Sequence, residues 1–390
     1  MASGKRVTVI GGGIGGLFVT KALLSKGFEV ATFEQASALS EVGAGVYLTP
    51  NGVRHLQQVG LGHAVAASGA PVNDRSRYFR EDGAEISPVR VTDSSGGNAS
   101  YGMHRADLIN FLASSIPEGV LNLGHRAKSF EQDESGARVT FENGVSIDSD
   151  IVIAADGIHS MLRRYVCHES DPVFSGTSVY RGLVPRELLE GWPADEWYMW
   201  LGPGKHFLTF PVRSGKMINF VGFVPAEDLF KESWTAPGDP DQLRADFAGW
   251  DPRIEALLSH VEHTFRWALY DRDPLPTWTN GRLTLLGDAA HAMLPHLGQG
   301  ANQSIEDGAA LAAILEAAGD HIPEALAAYE NLRRPRVAEV QSGARQNGLR
   351  YDSQFEDLAV RDKEIRQHQE FRRNLYDYDV VPLATAAVTP

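Results

Sequence analysis

One short stretch constrains the fold more than any other. Arg6 to Ile10 is an apolar, β-branched run that reads as a buried strand. Glycines follow at Gly11, Gly12, Gly13, Gly15 and Gly16. Leu17 to Lys26 then reads as a helix stopped by Gly27, and Glu29 to Phe33 as a second strand running into Glu34. The result is a βαβ unit with a G-x-G-x-x-G turn. A diphosphate at such a turn needs backbone N–H groups at a helix start with no side chain in the way, which glycine provides. Gly11, Gly13, Gly15 and Gly16 are therefore the expected diphosphate cradle. Glu34, 18 residues beyond Gly16, is placed to accept both hydroxyls of a ribose.

The rest of the chain must be arranged around that unit. At 390 residues it exceeds the size at which one core stops growing, so two intertwined domains are expected. From Glu41 to Asn51 the chain is glycine-rich and reads as a loop, with Asn51 capping the next helix. Arg105 to Ser115 reads as helix, and Ala137 to Phe141 and Asp150 to Ala155 as strands. Between about Phe174 and His263 the texture changes to strand-like segments such as TSVYRGLVP, KHFLTFPV and MINFVGFVP between Gly and Pro turns, an antiparallel sheet covering something. After Asn280 the first texture returns. Strand RLTLLGD is followed by helices to about Asn347, the last kinked at Pro335, and then by a charged helical tail from Tyr351 to Leu375.

Charge and cysteine usage narrow the function. A net charge of −14 argues against nucleic acid and anionic membranes, and means that an anionic substrate must be drawn in by a local positive field. The single cysteine, Cys167, excludes an internal disulfide and a Cys-rich metal site, and reads as a small buried residue. No metal is expected. The start, MASGKRVTVIGGG, does not read as a signal peptide, and no run of 18 apolar residues suggests a span. A cytoplasmic protein without a membrane partner is expected.

A second motif separates flavin from nicotinamide binding. LLGDAAH places Asp288 at the end of an apolar strand, and LPHLGQGANQSIEDG follows. Gly298 and Gly300, with Ala301 next, leave backbone amides free at a helix start, which suits the negative charge of a reduced flavin ring.

With the glycine loop, HRADL at His104 to Leu108, DGIHSMLR at Asp156 to Arg163 and GDAAH at Gly287 to His291 in this order, the chain resembles the class A flavoprotein aromatic hydroxylases. These include salicylate hydroxylase and para-hydroxybenzoate hydroxylase, and the motifs span about three-quarters of the chain. The resemblance implies an α/β fold of the para-hydroxybenzoate hydroxylase type: a Rossmann-like FAD-binding domain, an inserted β-sheet substrate domain and C-terminal helices. The expected segments are 1–72, 101–173 and 268–347 for FAD, 73–100 and 174–267 for substrate, and 348–390 for the helical tail. By resemblance, Arg105 reaches the FAD diphosphate and Ala127 touches the adenine through its backbone. Asp156 and Arg163 belong to a segment serving both FAD and NAD(P)H, and Asp288, Gly300 and Ala301 to the flavin end.

Within that family the segment Gly202 to Phe207, GPGKHF, is most similar to hydroxybenzoate 6-hydroxylases and 6-hydroxynicotinate monooxygenases. A histidine at this place in those enzymes acts as base toward the substrate hydroxyl, the role implied for His206. Two positions depart from the pattern. Tyr47 stands where the hydroxynicotinate type has histidine, and Phe210 where relatives tend to carry tyrosine. Both are expected to touch substrate; Tyr47 either supplies one hydrogen bond or packs near the flavin. The implied reaction inserts one atom of O2 into a small phenolic or hydroxylated aromatic acid, through a flavin C4a-hydroperoxide, with NADH or NADPH as electron donor. Alternatives are a non-benzenoid substrate such as a purine or polyketide, or a flavin reductase without oxygen transfer. A monomer or homodimer is expected, the C-terminal helices making the contact in a dimer.

Overall fold

The computed structural model describes residues 4–39, 45–168, 171–226, 236–354 and 358–388. Its first layer is a six-stranded sheet in the order Thr279–Asn280, Leu283–Leu285, Ile151–Ala154, Arg6–Ile10, Glu29–Phe33, Leu121–Asn122. All pairings are parallel except the edge hairpin at Thr279–Asn280. Parallel strands covered on both faces must be apolar throughout, and the runs VTVI, IVIA and LTL are wholly buried. Three distant parts of the chain thus meet in one sheet. Helices Ile14–Ser25 and Gly300–Ala318 pack together on it, Gly308 lying so close to Phe18 that a Cβ there would come within 2.7 Å of its ring.

The second layer is an eight-stranded sheet in the order Pro237–Gly238, Thr264–Asp271, Val173–Pro185, Met217–Pro225, Lys205–Val212, Tyr198–Gly202, Arg77–Arg80, Glu85–Pro88. Every neighbour is antiparallel except Tyr198–Gly202 with Arg77–Arg80. Strand alternation gives it two faces. Phe207, Phe220, Trp200 and Tyr180 point to an outer core that also holds Leu243, Ile254 and Leu257 of the helices Pro240–Asp246 and Pro252–Ser259. His206, Phe210, Val221 and Phe223 alternate with them along the same strands, and Phe210 packs with Tyr47 and Trp197. The fold is therefore the α/β FAD-binding type with a second sheet and C-terminal helices, as the motifs implied.

Several local expectations need correction. The first helix begins at Ile14, so Gly15 and Gly16 lie inside it. Gly45–Leu48 is a strand paired with Tyr101–His104, not loop; residues 40–44 of that expected loop lie outside the described residues. Thr49, not Asn51, sits at the N-cap of Pro50–Gln58; Asn51 is buried within the helix and bonds across to Gln299 and Glu306. Strand Thr264–Asp271 lies wholly in the larger sheet, so a boundary at 267/268 would cut it. Helix Ile322–Tyr351 holds Pro335 inside it and runs across a boundary at 347/348. Cys167 is half-buried rather than buried, and partial burial raises its thiol.

Candidate active site

The glycine loop is built from close approaches. Gly11 has φ +112°, and a Cβ on it would meet the Ala155 carbonyl at 2.2 Å; one on Gly16 would meet the Gly11 carbonyl at 1.9 Å. A Cβ on Gly13, by contrast, meets nothing within 4 Å. That open side of the turn, at a helix N-terminus, is where a diphosphate fits. Glu34 stands beside it. One of its oxygens accepts the Gly12 N–H at 2.6 Å and the other accepts the Ala36 N–H at 2.8 Å. Its backbone carbonyl accepts the His125 N–H at 2.8 Å, which brings the segment leading to Ala127 alongside. Ala127 opens strand Ala127–Gln132 opposite Phe141, whose ring packs on Phe33 and His125. The putting together of Glu34, Gly13 and Ala127 at one edge suits the adenosine half of FAD. Arg105 starts helix Arg105–Ser114 next to Arg181, whose guanidinium is lowered to about 10 by burial and then by Arg105.

The other end of the cradle is Asp288 to Ala301. Asp288 is exposed and follows Gly287, which is in a positive-φ conformation. Gly300 and Ala301 begin the helix Gly300–Ala318, and a Cβ on Gly298 would sit 3.6 Å from the Tyr47 ring. These residues fit a flavin ring lying along the helix start with Tyr47 beside it.

A buried network fixes this end. Asp307 accepts the Gly287 N–H at 3.1 Å, lies 2.5 Å from His291 Nε2, and accepts from Arg333 Nε at 2.8 Å. Arg333 also donates to Glu306 at 2.7 Å, and Glu306 accepts from Asn51 at 2.6 Å. Burial works against charge on Asp307, but His291 and Arg333 outweigh it and hold the carboxyl below its ordinary range. Nothing in the motifs singled out Glu306, Asp307 or Arg333 for this.

Asp156 and Arg163 turn inward. Asp156 Oδ2 accepts the Met161 N–H at 3.0 Å and the Leu162 N–H at 3.4 Å, and burial raises its carboxyl. Arg163 donates to the carbonyls of Ala289 at 2.8 Å and Ile158 at 2.9 Å. In this geometry the pair ties the 156–163 turn to the Asp288 turn and so shapes the cradle from behind.

The substrate side is the inner face of the larger sheet. His206 is fully buried on strand Lys205–Val212, stacked on Phe223 with ring centroids 3.8 Å apart. Its Nδ1 lies 2.6 Å from Asp352 Oδ1, and its Nε2 has no partner among the described residues. A carboxylate at Nδ1 holds the proton there and leaves Nε2 as the acceptor. His296 lies 5.4 Å away, and burial, then His206, push its imidazole well below the ordinary range, so it stays neutral. Phe210 and Tyr47 form one wall, 5.7 Å apart, with Trp197 at 6.5 Å from Tyr47. The Tyr47 hydroxyl is buried beside Ser100, and burial raises it far above its ordinary range. Asn219 joins the two layers by accepting the Gly45 N–H at 2.8 Å, and its own Nδ2 is unpartnered. Asp352, His296 and Asn219 were not foreseen; only their approach in space reveals them.

Among the described residues no helix is long and apolar enough to cross a membrane, and no group of three His, Cys, Asp or Glu residues is placed to hold a metal.

The family described as FAD binding domain matches residues 5–344. The chain is 36% identical over 387 residues to 3-amino-4-hydroxybenzoate 2-monooxygenase PtnB3 of Streptomyces platensis, covering 97% of this chain and 98% of that one. It is 38% identical over 382 residues to a salicylate hydroxylase of Pseudomonas putida, covering 90% and 86%. Among solved structures, a salicylate hydroxylase substrate complex superposes with a TM-score of 0.86 at 31% identity, covering 100% of this chain and 99% of that one. Klebsiella pneumoniae HpxO complexed with FAD and uric acid gives 0.83 at 29% identity, covering 97% of each chain. The open face at Gly13, the Glu34 edge and the Asp288 to Ala301 turn belong to a chain of the FAD binding domain family, an FAD-dependent monooxygenase of the aromatic-hydroxylating group.

Proposed function

We propose that this enzyme hydroxylates a small phenolic or hydroxylated aromatic acid, taking electrons from a reduced nicotinamide nucleotide, with His206 as the base that receives the proton of the ring hydroxyl. The observation that carries the reading is the state of His206. It is buried on the inner face of the larger sheet, 5.4 Å from His296, one nitrogen is held by Asp352, and the other has no partner among the described residues.

Bound FAD supplies the electron transfer and the activation of oxygen. What this chain's residues do is narrower. Gly11, Gly13, Gly15, Gly16, Glu34 and Arg105 hold the nucleotide half, and Asp288, Gly300 and Ala301 the ring half. Tyr47 and Phe210 bound the substrate ring. His206 Nε2 accepts the hydroxyl proton, leaving an electron-rich ring, and Asp352 keeps the imidazole in the accepting tautomer and balances the charge that develops. The buried aromatic wall excludes water from the reacting atoms.

Support from relatives is in their names: hydroxylases of salicylate and aminohydroxybenzoate. A second reading, a purine-like substrate, is favoured by the likeness to HpxO, whose structure contains uric acid. The test is a panel of hydroxybenzoates, hydroxypyridines and uric acid. Each is scored for stimulated oxidation of NADH and of NADPH, and for a product about 16 mass units heavier from one added oxygen atom or, where the carboxylate leaves as CO2, about 28 lighter. Stimulated NAD(P)H oxidation with no oxygenated product for any compound would leave only a reductase.

A further inference from the structure

Arg372 lies in the helix Gln369–Asp377 of the C-terminal region, with its guanidinium buried. It donates to the hydroxyls of Tyr78 at 2.7 Å, Tyr376 at 3.2 Å and Tyr351 at 3.3 Å. Every neighbour that favours its charge is a tyrosine, and no carboxylate among the described residues pairs with it. The contrast is Arg333, equally buried, which holds both Glu306 and Asp307. Burying a cation without a countercharge is costly, and three neutral hydroxyls orient the guanidinium without neutralising it. Among the described residues the arrangement lacks an anion.

An independent observation points to the same spot. The Tyr47 hydroxyl is buried close enough to Arg372 and Tyr376 to feel both, and its polar neighbour is the Ser100 hydroxyl, which donates to the Val91 carbonyl at 2.7 Å. The Arg372 guanidinium also lies 5.8 Å from the Tyr78 ring and 5.9 Å from the Trp197 ring, and Trp197 continues the wall of Tyr47 and Phe210.

We propose that Arg372, with Tyr47, Tyr78, Tyr351 and Tyr376, forms the carboxylate-binding end of the substrate pocket. The assignment rests on the aromatic-hydroxylase reading and sharpens it. Tyr351 places its ring 5.3 Å from the His206 ring and its hydroxyl on Arg372. Tyr351 therefore stands between cation and base. A ring with carboxylate and hydroxyl on adjacent carbons does not reach both; one with the groups meta or para does. The preferred substrate is an aromatic acid of the 3- or 4-hydroxybenzoate kind, not of the salicylate kind.

The test uses FAD-loaded wild type, Arg372→Met and Tyr47→Phe. Dissociation constants for 3-hydroxybenzoate, 4-hydroxybenzoate, salicylate and phenol are read from the change in flavin absorbance. Wild type should bind 3- or 4-hydroxybenzoate at least tenfold more tightly than phenol and salicylate. Arg372→Met should lose that preference, while phenol binding and flavin content stay the same. Tyr47→Phe, which removes one hydroxyl and keeps the ring, should weaken the carboxylate ligands by about tenfold or more, the range for a lost hydrogen bond to a charge, and leave phenol unchanged. If Arg372→Met fails to fold, Tyr47→Phe decides alone. A carboxylate preference unchanged in the variants, or an equal loss for phenol, overturns the site. Should no aromatic compound stimulate NAD(P)H oxidation by wild type, the hydroxylase reading itself fails; turnover indifferent to the carboxylate overturns the Arg372 assignment alone.

Discussion

A buried imidazole with one nitrogen tied to a carboxylate and the other free is a directional proton acceptor, and this decides what to expect at His206. His206→Ala should lower product formation by about 100- to 10,000-fold, the usual worth of a positioned base, while FAD remains bound. NAD(P)H oxidation should continue, its electrons appearing as hydrogen peroxide. Hydroxylation at the wild-type rate with an unchanged pH profile would make this histidine structural. Asp352→Asn should lower product formation with little change in substrate KM or flavin content, because Asp352 acts only through the imidazole; a parallel loss of flavin would mean a merely structural contact. On the cofactor side, Glu34→Ala should weaken FAD by about 1.5–3 kcal/mol, measured by fluorescence titration. His206 and Glu34 are legible in the sequence because each sits at a fixed offset inside a local motif. Asp352 is not: it lies 146 positions from His206, and only the folded chain brings them to 2.6 Å.

Elements carry the next set of consequences. In the proposed site helix Gly300–Ala318 offers its free N–H groups to the cofactor at one end, and nearly two turns further in it carries Glu306 and Asp307. Those carboxylates clamp the Gly287 turn, helix Pro50–Gln58 and helix Ile322–Tyr351 together through Arg333, Asn51 and Gly287. Removing one member leaves a buried charge unpaired. Asp307→Asn should cost about 3–5 kcal/mol and lower flavin occupancy, read from thermal unfolding and the visible spectrum. The sign with pH follows from the depressed carboxyls of Glu306 and Asp307. Their stabilisation is complete above the unfolded value of about 4 and is lost as pH falls through the folded values, so the variant should show a shallower acid limb of stability. An unchanged acid limb would place the pH dependence elsewhere. At this scale the sequence was uneven. Parallel strands announce themselves as unbroken apolar runs. Gly45–Leu48 did not, because its glycine serves close approach: a Cβ on Gly45 would meet Asn219 at 2.6 Å and Phe210 at 2.7 Å. The helices after Asp239 and Asp251 each carry an Asp–Pro start, with the aspartate side chain accepting from the first turn, yet lie inside a strand-rich stretch that masked them.

Across the whole molecule, the cofactor site is assembled from three passes of the chain through one sheet, and the substrate sheet is pressed onto it at a joint without room for side chains. A Cβ on Gly102, in the strand next to Gly45–Leu48, would meet the Pro211 carbonyl of strand Lys205–Val212 at 1.8 Å. Neither layer gives way cheaply there, since both contacts are backbone. In the proposed site FAD would lie along the segments this joint aligns: the glycine loop, the Arg105 helix start and the Asp288 to Ala301 turn. A ligand that binds only the aligned form adds RT ln(1 + [L]/Kd) to its stability, about 2.7 kcal/mol at a hundredfold excess over Kd. Deflavinated protein should therefore unfold at a lower temperature than the holoenzyme, and added FAD should restore the midpoint in a concentration-dependent way. Gly102→Ala should lower the midpoint of the apoprotein and also weaken FAD, because the ligand must then realign the layers as it binds. The paired measurement separates this from a local packing defect. If Gly102→Ala destabilises the apoprotein but takes up FAD with wild-type affinity, the two layers are not coupled through the cofactor site, and the joint serves the fold alone.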